Sequence, residues 1–309
     1  MDIMILFLGK EESHYRSKIT IKKQPRNKIN KVMVIDSHQH FWNYKPSKHN
    51  WIDDSMSLIR KDFMPPDLKK VYDKNKIDGC IAIQADQTLK ETNFLLDLSK
   101  ENTFIKGIVG WVDLRASNID NTLEHYSNYK KIKGFRHVVQ DEEDHNFLLR
   151  PEFLRGISYL EKYNYVYDIL IFPHQLETTL KFVKKFPNHK FIINHIAKPY
   201  IKDGLYDEWA RLMSEISKCE NVFCKMSGMI TEADYNLWTP EQITPYMDLV
   251  LTSFGSKRIL FGSDWPVCLV AGSYKKVKEL VTNFISKLSE NEKTNIMGKN
   301  AINLYNIKP

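Results

Sequence analysis

No apolar run in this chain approaches the roughly eighteen residues that a membrane span requires. The run from Ile3 to Leu8 is also too short for a secretory hydrophobic region, and no small-residue cleavage site follows it. A cytoplasmic protein with no membrane partner is therefore expected. Cysteine is sparse, and Cys80, Cys219, Cys224 and Cys268 lack C-x-x-C spacing, which points to reduced core thiols and against a catalytic cysteine. Nothing Pro-rich, Gly/Ser-rich or repetitive divides residues 33–309, so a single domain is expected there.

A broad basic surface is missing as well, despite the net charge of +7. Residues 1–32 carry eight Lys/Arg against three Asp/Glu, a balance of +5, which leaves +2 for everything after them. The body is near neutral, so a nucleic-acid partner is not expected. Residues 1–31 show no apolar period and read as a flexible basic leader, with residues 32–309 as the folded domain. Met33 directly precedes the first apolar strand and is a second candidate for the start of translation, which mass spectrometry of the native N-terminus would test.

What is present is ordinary globular composition, 42% hydrophobic and 27% charged, arranged with a clear rhythm. Short strand-like runs alternate with segments whose apolar residues recur at three-and-four spacing. The runs are 32–36, 79–84, 106–112, 134–139, 166–171, 190–194, 222–227 and 258–262. Leu176, Leu180 and Val183 illustrate the helical spacing between them. Eight such units predict an α/β fold of the (β/α)8 TIM-barrel class, whose active sites lie at the carboxyl ends of the strands.

The first run ends in Asp36-Ser-His38-Gln-His40-Phe-Trp42, and the last ends in Gly262-Ser-Asp264-Trp-Pro266. Residues two apart on a strand point to one side, so His38 and His40 can converge on one ion or one substrate atom. His195 ends the sixth run. Three imidazoles and a carboxylate suit one divalent metal, zinc foremost, with water in an open position; the same groups could instead bind and deprotonate water without metal. Asp264 is expected to be the base that takes the proton of an attacking water.

Arg136 and Lys225, also at strand ends, are expected to polarise a carbonyl or stabilise an oxyanion. Substrate contacts are expected from Trp42 and Trp51 in the long 41–66 connection, from Gln84, Trp111, His137 and His174 after other strands, and from Trp238 in the 231–240 connection. His14, His125, His145 and His189 sit in polar stretches and are expected on the surface.

These ordered segments, together with Gly-Phe-Arg136-His137, Asn194-His195-Ile-Ala-Lys198-Pro199, Cys224-Lys225-Met-Ser-Gly228 and Phe261-Gly-Ser-Asp264-Trp-Pro, resemble the amidohydrolase superfamily. The similarity is to its amidohydrolase-related branch, which includes sugar lactonases of the L-fuconolactonase and L-rhamnonolactonase types and a pyrone dicarboxylate lactonase. The resemblance covers nearly all of residues 33–307. It implies a (β/α)8 barrel and hydrolysis of a cyclic ester, with Asp264 as base and a small sugar-acid lactone as substrate. Better-known members carry a metal-binding lysine on the fourth strand, where this chain has Arg136-His137, so a two-metal site is not expected. One-metal and metal-free versions both stay open. The alternative reaction is metal-dependent, non-hydrolytic decarboxylation of a small unsaturated acid. A homo-oligomer also stays open, because helix patterns alone reveal no shared surface.

Overall fold

The computed structural model describes residues 33–308. The flexible leader expected over residues 1–31 lies outside the described residues. Eight parallel strands pair in sequence order: β1 (Ile35–Gln39), β2 (Gly79–Ile83), β3 (Ile105–Gly110), β4 (Ile132–Val138), β5 (Val166–Leu170), β6 (Phe191–Ile193), β7 (Val222–Met226) and β8 (Ile259–Phe261). Every expected strand is present, with its ends within three residues of the sequence reading. The sheet closes where the Asp264 N–H donates to His38 O (2.8 Å) and the His40 N–H donates to Trp265 O (2.7 Å). The fold is thus the (β/α)8 barrel that the alternating pattern predicts.

The principal helices are α1 (Pro65–Asn75), α2 (Leu89–Glu101), α3 (Ile119–Ser127), α4 (Pro151–Lys162), α5 (Leu176–Val183), α6 (Asp207–Ser217), α7 (Pro240–Phe254), α8 (Tyr274–Phe284), α9 (Glu290–Thr294) and α10 (Asn300–Leu304). Their starts are written locally. Proline occupies the first turn of α1, α4 and α7, where its missing N–H would have no helical partner. The side chains of Thr88 and Ser273 accept N–H bonds at the starts of α2 and α8. Along α4, Phe153, Ile157 and Leu160 are buried against the sheet, the spacing of one helical face.

The barrel base is filled by Ile35, Ile81, Ile83, Val109, Val166, Ile192 and Leu260, packed with Leu304 and Tyr305 from the C-terminal segment. This plug leaves the carboxyl ends of the strands as the face open to a ligand. Among the described residues no helix is long and apolar enough to cross a membrane.

Candidate active site

His38 and His40 do converge, with their Nε2 atoms 3.2 Å apart. Simple alternation does not continue backward from them, because the β1–β2 register shifts between Asp36 and Gln39. Asp36 instead reaches the helices, accepting hydrogen bonds from Tyr72 of α1 (3.0 Å) and Tyr274 of α8 (3.1 Å). It also accepts from the Ser263 N–H (2.9 Å), which ties β1 to the turn that presents Asp264.

His195 and Asp264 are delivered by backbone in the left-handed region. His195, Ile196, Ala197 and Lys198 have φ of 53°, 47°, 60° and 47°, and Asp264 has φ of 57°. Each non-glycine residue in that region costs on the order of 1–2 kcal/mol, so surrounding contacts must hold the turn. Trp209 of α6 donates its indole N–H to Ile196 O (2.8 Å), and the Lys198 N–H donates to His195 O (2.8 Å). Gly228 completes the fit: its φ is +63°, and a Cβ there would stand 2.4 Å from His195 Nδ1.

Asp264 Oδ1 lies 3.4 Å from His40 Nε2 and 3.7 Å from Nε2 of both His38 and His195. Donor atoms of His38, His195 and Asp264 all fall within 4.8 Å of one another. Ligands of a tetrahedral ion with bonds of about 2.0–2.1 Å stand roughly 3.4 Å apart, so this nitrogen-rich set fits a single divalent metal. The rings are also oriented for it. His40 Nδ1 bonds Ile83 O (2.9 Å) and His195 Nδ1 bonds Ser227 Oγ (2.9 Å), which turns both Nε2 atoms toward Asp264.

Burial lowers the pKa of all three imidazoles, His195 to about 3 and His38 well below its ordinary value, so they are neutral near pH 7. Burial pushes the Asp264 carboxyl up, but His195, His40 and Lys198 outweigh it and hold it below the usual range. Asp264 is therefore ionised.

Arg136 is 5% exposed and borders the cavity. Its Nη2 donates to Gln84 O (2.6 Å) and Oε1 (2.7 Å), and its Nη1 donates to Asn194 Oδ1 (3.3 Å). Burial lowers its pKa to about 10, which leaves it a cation at neutral pH. Its Nη1 is also 3.3 Å from His38 Nε2.

A cavity of about 320 Å³ opens over these groups. His40, His195, Asp264, Arg136, Gln84 and Trp51 line it, together with Lys48, Asp86, Gln87 and Lys198. Gln84 Nε2 is buried without a hydrogen-bond partner among the described residues. A polar ligand in the cavity would satisfy it.

Several expected contacts are corrected. Lys225 does not reach the cavity: it is wholly buried inside the barrel, paired with Asp168 and 3.4 Å from His38 Nδ1. A cation already neutralised beneath His38 supports that ring but cannot touch a reacting carbonyl. Trp42 is 1% exposed and packs on Phe63 and His49, donating its indole N–H to Lys61 O (2.9 Å). Trp238 likewise donates to Ala271 O (2.8 Å), and Trp111 points its N–H at His137 Nδ1 (3.4 Å). His137 faces the helices, stacked on Phe147 and bonded to Glu142 (2.6 Å), because its neighbour Arg136 takes the inward direction. His174 is exposed beside His145 and Tyr200. None of these six lines the cavity. His189, expected on the surface, is 2% exposed and packs edge-on against Phe191.

Sequence reasoning missed Lys48, Gln87 and the orienting role of Ser227. The positions of Lys48 and Gln87 depend on loop paths, which leave no periodic signal. Ser227 was foreseeable, since it directly follows the end of β7.

Residues 35–307 match the model of the family described as Amidohydrolase (Amidohydro_2). The chain is 36% identical over 285 residues to an L-fucono-1,5-lactonase of Burkholderia multivorans, covering 89% of this chain and 96% of that protein. It is 29% identical over 206 residues to an L-rhamnono-gamma-lactonase of Scheffersomyces stipitis, covering 59% of this chain and 61% of the relative. A crystal structure of an amidohydrolase from Burkholderia multivorans with bound zinc superposes with a TM-score of 0.87 at 35% identity, covering 90% of this chain and 100% of that one.

Proposed function

The chain belongs to the amidohydrolase family, and on that footing we propose that it is a hydrolase opening a small sugar-acid lactone. The observation that carries this reading is an ionised Asp264 ringed by three neutral imidazoles at the floor of a cavity whose other walls offer Arg136, Gln84, Lys48 and Asp86. A cavity of about 320 Å³ with mixed donors and acceptors suits a ligand the size of one hydroxylated ring. L-fucono-1,5-lactone, the substrate in a relative's name, is the first compound to try. The setting we propose is cytoplasmic, with the lactone as partner.

Asp264 accepts a proton from the water that attacks the lactone carbonyl. The carbonyl oxygen becomes an oxyanion, and Arg136, fixed by Gln84 and Asn194, stabilises it. The acyl C–O bond then breaks, and Asp264 returns the proton to the ring oxygen as it leaves. The product is the open hydroxy acid. His40 and His195 hold their rings through Ile83 O and Ser227 Oγ, and Lys225 positions His38 from below. The four side chains His38, His40, His195 and Asp264 would hold zinc, which supplies Lewis acidity to the carbonyl and acidity to water.

A panel of aldonolactones assayed by proton release tests the reading, with carbon dioxide release from small unsaturated acids measured in parallel. Stoichiometric acid from a hexonolactone, with no gas from the acids, is expected. Gas release without lactone opening would replace hydrolysis by decarboxylation.

A further inference from the structure

We infer that Lys198, at the end of the left-handed turn after β6, is a substrate-binding residue that selects lactones bearing a hydroxyl next to the carbonyl. This rests on the hydrolase reading above and deepens it by naming a feature of the substrate.

Four observations place it. Lys198 lines the same cavity as His40, His195, Arg136 and Asp264. Its backbone is fixed by the strained turn, since Lys198 itself has φ of 47° and its N–H bonds His195 O at 2.8 Å. Its ammonium is anchored on one side by Glu232 at 3.7 Å and lies over the Phe172 ring at 5.2 Å. It is close enough to Asp264 and His195 to act on both electrostatically.

A lysine ammonium has three donors. With one directed to Glu232, others remain for an acceptor in the cavity. The lactone carbonyl must lie against Asp264 for water to attack it, and Lys198 shares that cavity and acts on Asp264 electrostatically, so the acceptor we assign to it is the one nearest the carbonyl carbon that neither forms nor breaks a bond. In a sugar-acid lactone this is the hydroxyl on the adjacent ring carbon. A site donor left without its acceptor rejects an analogue more strongly than an apolar wall rejects a missing methylene, and the Lys198 side chain, 20% exposed, keeps a part of that discrimination.

The test compares an aldonolactone with its 2-deoxy counterpart in wild type and in Lys198→Met. Methionine bears the same backbone strain and similar length, so the change removes the ammonium alone. The ratio of kcat/KM for hydroxylated over deoxy lactone is expected to fall at least about tenfold, mainly through KM. Lys198→Gln, which retains a donor, should fall between. An unchanged ratio, with both lactones losing equally, overturns the inference. Calorimetric binding of the two open-chain acids to the same proteins gives a readout free of turnover. If wild type opens no lactone, the hydrolase reading falls, and the change in that binding ratio still decides Lys198.

Discussion

Gly228→Ala isolates the contact on which the placement of His195 depends. Two costs apply. Alanine at φ +63° pays the left-handed penalty, about 1–2 kcal/mol. Its Cβ would also stand 2.4 Å from Nδ1 and 2.6 Å from Cγ of His195, so the ring must move or the β7 end must shift, adding about 1–3 kcal/mol of overpacking. Gly204 is the matched control: its φ is +67° and nothing lies within 4 Å of a Cβ there. Gly204→Ala should therefore lose only the strain, about 1–2 kcal/mol or some 2–6 °C in melting temperature. Gly228→Ala should lose roughly 2–5 kcal/mol. Activity separates them further. Moving His195 by even an ångström breaks its 2.9 Å bond to Ser227 and should lower kcat about a hundredfold, while Gly204→Ala keeps wild-type kcat. Thermal melts and lactone kinetics on both variants check this. Equal stability losses, or a Gly228→Ala enzyme within twofold of wild type, would refute the placement of His195.

Lys225→Met leaves the wholly buried Asp168 without its cation and should cost about 3–5 kcal/mol by urea denaturation, with Asp168→Asn in the same chain restoring much of it. A loss below about 1 kcal/mol would show that the pair does not neutralise itself as described. Burial lowers the pKa of His189 to about 4, so the unfolded chain binds the proton first and stability falls as pH drops from about 6.5 toward 4, by about 3 kcal/mol in all. His189→Phe should flatten that slope in denaturation at pH 7 and pH 5, and an unchanged slope would contradict it. Chelator treatment should remove most of the activity and about one equivalent of zinc should restore it, followed by proton release and by metal analysis.

The barrel was legible because each strand is a short β-branched run and each crossover carries a helical face, signals that survive without tertiary context. His38, His40, His195 and Asp264 were legible for a related reason: strand ends in a barrel share one rim. Arg136 followed from the same rule, and alternation should also have sent His137 outward, where it stacks on Phe147. Lys225 could not be read this way, because its neutralising partner Asp168 lies 57 residues earlier in the chain. The loop tryptophans misled because a ring in a mouth connection can pack downward as readily as face a ligand; Trp42 and Trp238 spend their N–H groups on backbone carbonyls, and Trp51 alone of the loop pair near β1 borders the cavity. His189 misled because polar sequence neighbours say nothing about Phe191 folding against it. Lys198 owes its position to four successive left-handed residues, a conformation that no propensity favours.

In the proposed reaction Asp264 is the base for lactone opening. The most direct test of this role is the rate of proton release from L-fucono-1,5-lactone by wild type and Asp264→Asn, at matched metal content and with melting curves to confirm folding. A fall of at least about a thousandfold in kcat is expected for the asparagine enzyme, since the amide keeps the shape and loses the proton acceptor. Turnover by Asp264→Asn at the wild-type rate would contradict it.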